Sequence, residues 1–114
     1  MVTPSAGSVV TVLFPFSDLT DSKLRPAVVL ADATRGDWIL CQLTSKAYAD
    51  PIAILLEAED FSIGTLHRAS YARPGKVFTA NESLMVTEIG HLKDASFRKV
   101  SSAVVQLLQA NAPI

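Results

Sequence analysis

The 114-residue sequence carries 10 Lys and Arg against 11 Asp and Glu, a formal net charge of −1, and is 49% apolar. That length fits one domain, residues 1–114, and the near-neutral charge excludes a broad duplex-binding surface built on global basicity. Cys41 stands alone, which rules out an internal disulfide and a cysteine zinc site.

The lone thiol suits a reducing cytoplasm. No apolar run approaches the roughly 18 residues of a membrane helix, and the richest stretches, 27–31 and 52–56, have strand length. Met1–Ser8 lacks the charged start and apolar core of a signal peptide. The expected location is therefore cytoplasmic. A mean hydropathy of +0.32 is high for so small a chain. A domain of this size buries only about two-thirds of its unfolded surface, so a homodimer interface is expected to take up part of the rest. Three stretches, 22–31, 38–49 and 61–81, contain no acid yet hold Lys23, Arg25, Lys46, Arg68, Arg73 and Lys76. Brought together, they would form a positive face on a neutral protein.

In chain order, Ser8–Phe14 is apolar and β-branched and reads as a first strand. Ser17–Ser22 is a loop of turn formers. Pro26–Ala31 is a second strand, and Thr34–Asp37 a turn into a third, Trp38–Thr44. After a break at Ala49–Pro51, Ile52–Glu57 is a strand. His67–Ala72 is another, beyond Gly64. Pro74-Gly75 reads as a turn into Lys76–Thr79, and Leu84–Ile89 as a last strand stopped by Gly90. Phe97, Val100, Val104, Leu107 and Leu108 recur at helical spacing, with Asp94 as N-cap and Pro113 past the end. Many short strands and one closing helix predict a mainly β fold, a small barrel or strongly bent sheet.

Two segments carry chemistry. In Ser22–Leu30 (SKLRPAVVL), Arg25 precedes Pro26, which pushes its backbone into an extended conformation at the start of an apolar strand. In Trp38–Lys46 (WILCQLTSK), alternation places Trp38, Leu40, Gln42 and Thr44 on one face and Ile39, Cys41 and Leu43 on the other. Thr44, Ser45 and Lys46 cluster donors beside a positive charge. Taken singly, a strand threonine is an ordinary β-former, a lone arginine an ordinary surface residue, and Phe16 and Tyr71 fit a core or an interface. Cys41 reads as core, and Asp50, Glu57, Glu59 and Asp60 as a solvated rim. His67 and His91 are the two histidines a paired acid–base mechanism would need, and their spacing gives no sign of convergence.

With Gly7 opening the apolar GSVVTVLFPF, the SKLRPAVVL and CQLTSK blocks, and later SYARPGKVFT and EIGHL, the sequence resembles the MazF/PemK toxins of bacterial toxin–antitoxin pairs, in its PemK-like branch. The resemblance implies an SH3-like β-barrel homodimer that cleaves single-stranded RNA without a metal or other cofactor, and an antitoxin whose flexible tail occupies the RNA groove. Family catalysis maps onto Arg25 and Thr44. Around them, Lys23, Lys46, Arg73 and Lys76 would track the RNA backbone, Phe16 and Tyr71 would stack on bases, and Ser17 and Ser45 would also touch substrate. An acid that some members carry before the arginine has no clear match, Asp18 and Asp21 being nearest. Ser70 and Tyr71 replace the commoner acid–Gln pair. The rival reading is a toxin of the related CcdB-like kind, which binds gyrase without ribonuclease chemistry, or an inactive antitoxin-binding module. Neither needs the pairing of Arg25 with Thr44.

Overall fold

Val9, Val10, Thr11 and Val12 are stiff at χ1 and favour extended backbone, and a sheet is built on both sides of the strand they form. The computed structural model describes residues 2–15, 22–47 and 49–113. Its strands are β1 (Ser8–Pro15), β2 (Ser22–Asp32), β3 (Asp37–Thr44), β4 (Ile54–Leu56), β5 (Phe61–Gly64), β6 (Ser70–Asn81) and β7 (Met85–Leu92), followed by helix α1 (Asp94–Ala110). They make one antiparallel sheet in the order β4-β6-β3-β2-β1-β7-β5.

Alternation along the strands sends apolar side chains to both faces, and each face has its own core. One core gathers Val9, Val28, Cys41, Leu43, Ala72 and Leu92 under Val100 and Phe97 of α1. The other gathers Val10, Val12, Ala27, Val29, Leu40, Ala80 and Met85, with Phe14 and Phe78 at its margin. Those two rings meet edge-on at 4.5 Å, although β1 and β6 are separated by β2 and β3. Three strand spacings in a flat sheet would span about 14 Å, so the sheet is curled around the second core as a half-barrel. The mainly β fold with a C-terminal helix is as the sequence predicts. No helix among the described residues is long and apolar enough to cross a membrane.

Several boundaries differ from expectation. Pro74-Gly75 does not turn the chain: Ser70–Asn81 is one strand, and the extra residues are absorbed as a bulge where its register on β3 shifts between Cys41 and Leu43. β2 starts at Ser22 rather than Pro26, because residues 22–25 already pair with β1. β4 covers only Ile54–Leu56, and β5, four residues of which only Phe61 is buried, is an additional strand. Gly90 sits inside β7 instead of stopping it. Asp94 is the first helical residue, with Lys93 in the N-cap position and no side-chain cap. Leu108 leaves the buried stripe and is 68% exposed.

Candidate active site

Pro26 keeps Arg25 extended, and β2 pairs with β1 so that Arg25 lies opposite Val12. On its other side β2 pairs with β3 through Val29↔Leu40, Val28↔Cys41 and Ala27↔Gln42. The pairing ends there, and Arg25 and Thr44 each lie two residues beyond it, on the face that alternation gives them. Thr44 in turn pairs with Tyr71 of β6, and Tyr71 with Leu55 of β4. Residues opposite one another in an antiparallel sheet share a face. Arg25 and the paired Thr44 and Tyr71 therefore come together as a row of half-buried residues at one end of three neighbouring strands, on the face of the second core.

The Thr44 hydroxyl accepts a hydrogen bond from the Lys46 backbone N–H at 3.2 Å. This local turn fixes the oxygen and leaves its proton to be donated. Lys23 is exposed opposite Phe14, two residues from Arg25 and on the same face. Ser45 and Lys46 are exposed as they leave β3. The row thus carries a guanidinium, an oriented hydroxyl and a phenol, with ammonium groups around it.

The remaining expected residues are placed differently. Phe16 and Ser17, with Asp18 and Asp21, lie outside the described residues. Lys76 is exposed in the β6 bulge, which turns toward the helix side, where Gly75 lies under Leu107 of α1. Arg73 donates from Nε to Asp50 Oδ2 at 3.1 Å. Asp50 is therefore no solvated rim acid. Its side chain is only 12% exposed, and its other oxygen accepts the Ile52 N–H at 3.1 Å. Asp60 is likewise structural, accepting the Glu57 N–H at 2.7 Å and the Ser96 hydroxyl at 2.8 Å.

The Arg73 hydrogen bond, helped by the Ile52 N–H, holds the Asp50 carboxyl below the usual range for aspartate. A carboxyl whose folded pKa is lowered stabilises the fold above its unfolded value, about 3.9. That stabilisation is lost as pH falls through the folded value. Asp50→Asn should therefore be less stable than the parent by a constant margin from pH 7 to about 5, with the two converging below about pH 4. Thermal unfolding across a pH series measures this.

Burial pushes the Cys41 thiol up to about 12, while its Sγ–H donates to the Arg73 carbonyl at 3.2 Å. It stays a protonated core residue, as expected. His91 contacts the Leu92 carbonyl through Nδ1 at 2.9 Å and Ser5 Oγ through Nε2 at 3.4 Å, with its ring against Gly7. That is a structural role at the N-terminal turn. Among the described residues, no group of three or more His, Cys, Asp or Glu is arranged to hold a metal ion.

No curated protein matches the chain by sequence. Solved structures do match its fold. MazF from Deinococcus radiodurans (Form-I) superposes with a TM-score of 0.75 at 22% identity, over 96% of this chain and 99% of that one. A MazE–MazF complex from the same organism (Form-II) gives 0.76 at 21% identity, over 96% and 98%. An endoribonuclease bound to its cognate antitoxin, from a mycobacterial species, gives 0.72 at 15% identity, over 99% and 100%. At those identities the likeness speaks for the half-barrel and its helix. The family match rests on sequence and spans residues 5–108, including the SKLRPAVVL and CQLTSK blocks that form the row. The chain belongs to the PemK-like, MazF-like toxins of type II toxin–antitoxin systems.

Proposed function

We propose that the chain is an endoribonuclease toxin that cleaves single-stranded RNA without a metal, acting in the cytoplasm as a homodimer of one-domain protomers (residues 1–114) and restrained by a cognate antitoxin. The observation that carries this reading is that Arg25, Thr44 and Tyr71 share one face at the same end of three neighbouring strands. The fold neighbours named as endoribonucleases, one of them in complex with its cognate antitoxin, support it.

In this reaction the RNA 2′-hydroxyl attacks the adjacent phosphorus. The bond to the 5′-oxygen breaks, leaving a 2′,3′-cyclic phosphate and a 5′-hydroxyl. Negative charge builds on the non-bridging oxygens, where fixed donors stabilise the transition state most. Arg25 supplies a planar fork suited to phosphate. With five N–H donors and no acceptor, a guanidinium supplies charge stabilisation rather than proton abstraction. Thr44 donates its hydroxyl proton to the same phosphate, its oxygen being fixed by the Lys46 N–H. Lys23 and Lys46 hold the flanking backbone, and Tyr71 offers a stacking surface worth about 1–3 kcal/mol per base.

Purified protein should cut a long single-stranded RNA in EDTA and leave 5′-hydroxyl ends, which a kinase labels without prior phosphatase treatment. Intact RNA under those conditions, together with inhibition of gyrase supercoiling, would establish the CcdB-like alternative instead.

A further inference from the structure

We propose that Gln42 reads the base beside the scissile phosphate and that the base it selects is adenine; the inference rests on the endoribonuclease reading above. Gln42 lies on β3 between Leu40 and Thr44 and shares their face. Two residues of strand separate it from Thr44, about 7 Å, within reach of the sugar and base attached to a phosphate held there. Its surroundings suit a planar ligand. Leu40 on one side pairs with Phe78, and Thr44 on the other pairs with Tyr71, so an aromatic ring flanks the Gln42 row in each direction along β6.

Two further observations single out this side chain. Across β2 its partner is Ala27, whose small side chain takes little of the space before the carboxamide. Toward β6, Gln42 falls at the register shift between Ala72 and Val77, so no residue of that strand pairs with it. The intervening bulge packs toward α1, with Pro74 buried and Gly75 under Leu107. Gln42 is half-buried, yet its carboxamide makes no hydrogen bond with any described residue. Ordinary packing would not need a polar group there, since Val10, Ala27, Val29 and Leu40 of the same face are apolar and buried.

A carboxamide presents a donor beside an acceptor. Adenine matches that pair through N6 and N7 on its Hoogsteen edge, the edge on which no other base sets a donor beside an acceptor; every base does so on its Watson–Crick edge, so selection of adenine requires that the Hoogsteen edge turn toward Gln42. The Hoogsteen edge of guanine shows two acceptors and leaves the carbonyl oxygen unmatched. Single strands leave the Hoogsteen edge open to a protein.

The test compares short single-stranded oligomers made uncleavable by 2′-deoxy substitution, identical but for adenine or uracil beside the scissile position. By fluorescence anisotropy the parent should bind the adenine oligomer about tenfold more tightly. Gln42→Leu, with an unchanged melting temperature, should bring the two affinities within twofold. No preference in the parent, or the same preference retained in Gln42→Leu, overturns the assignment. Mapping the cut ends of a long RNA separates this assignment from the reading beneath it. Adenine enriched beside the cut in the parent but not in Gln42→Leu supports both. An unchanged distribution in Gln42→Leu overturns the role of Gln42 alone. Absence of cleavage by the parent overturns the endoribonuclease reading, and the binding comparison still decides what the carboxamide selects.

Discussion

Arg25→Ala lowers the rate of RNA cleavage by about 10²–10³-fold, the loss expected when one fixed donor to a developing oxyanion is removed. The size follows from geometry. The guanidinium is half-buried on the row it shares with Thr44, where water competes weakly with a preorganised charge. Arg25→Lys restores the charge without the planar fork and recovers only part of the rate. Thr44→Ala should lose a similar factor, and Thr44→Ser, which keeps the hydroxyl and the turn to the Lys46 N–H, should recover much of it. Single-turnover cleavage of a defined RNA gives the rates. Thermal melting shows whether each variant keeps the parent's fold, as expected for side chains on a solvent-reachable row.

Gly90→Ala unfolds the β5–β7 edge and costs about 3 kcal/mol, at the upper end of what overpacking usually does. Gly90 pairs with Gly64 across the two strands. A Cβ on Gly90 would stand 2.3 Å from the Ile63 carbonyl oxygen and 3.0 Å from a Phe61 ring carbon. The carbonyl belongs to backbone already committed to the sheet, so the strands must part to make room. Phe61 would then leave the core it shares with Val100 and Leu92. Urea unfolding reads the loss of stability. Faster amide exchange in residues 61–64 and 90–92, ahead of β1–β3, would locate it.

Gly90 also illustrates what a sequence conceals. A glycine after an apolar run has the same pattern whether it ends a strand or lets two backbones approach closely, and only the pairing with Gly64 decides. Pro74-Gly75 misleads in the same way, since a turn and a bulge use the same residues. What was legible came from local periodicity: the β-branched start of β1, the alternation of Trp38–Thr44, and the apolar stripe through Phe97 and Val100. Alternation also placed Gln42 and Thr44 on one face. That Arg25 and Thr44 come out at the same end of β2 and β3 is a matter of the register between those strands, which neither segment encodes by itself. Asp50 looked like a solvated acid because its partner Arg73 is 23 positions away, and Asp60 because it answers to Ser96, 36 positions on. Polar groups satisfied at long range leave no periodic trace.

The most direct measurement is a crystal structure of the protein with an RNA oligomer carrying a 2′-deoxy nucleotide at its mapped cleavage position. The account predicts that the Arg25 guanidinium and the Thr44 hydroxyl both lie within about 3 Å of non-bridging oxygens on that one phosphate. Were the phosphate bound elsewhere, or were the two side chains to hold different phosphates, the row would not be the catalytic centre.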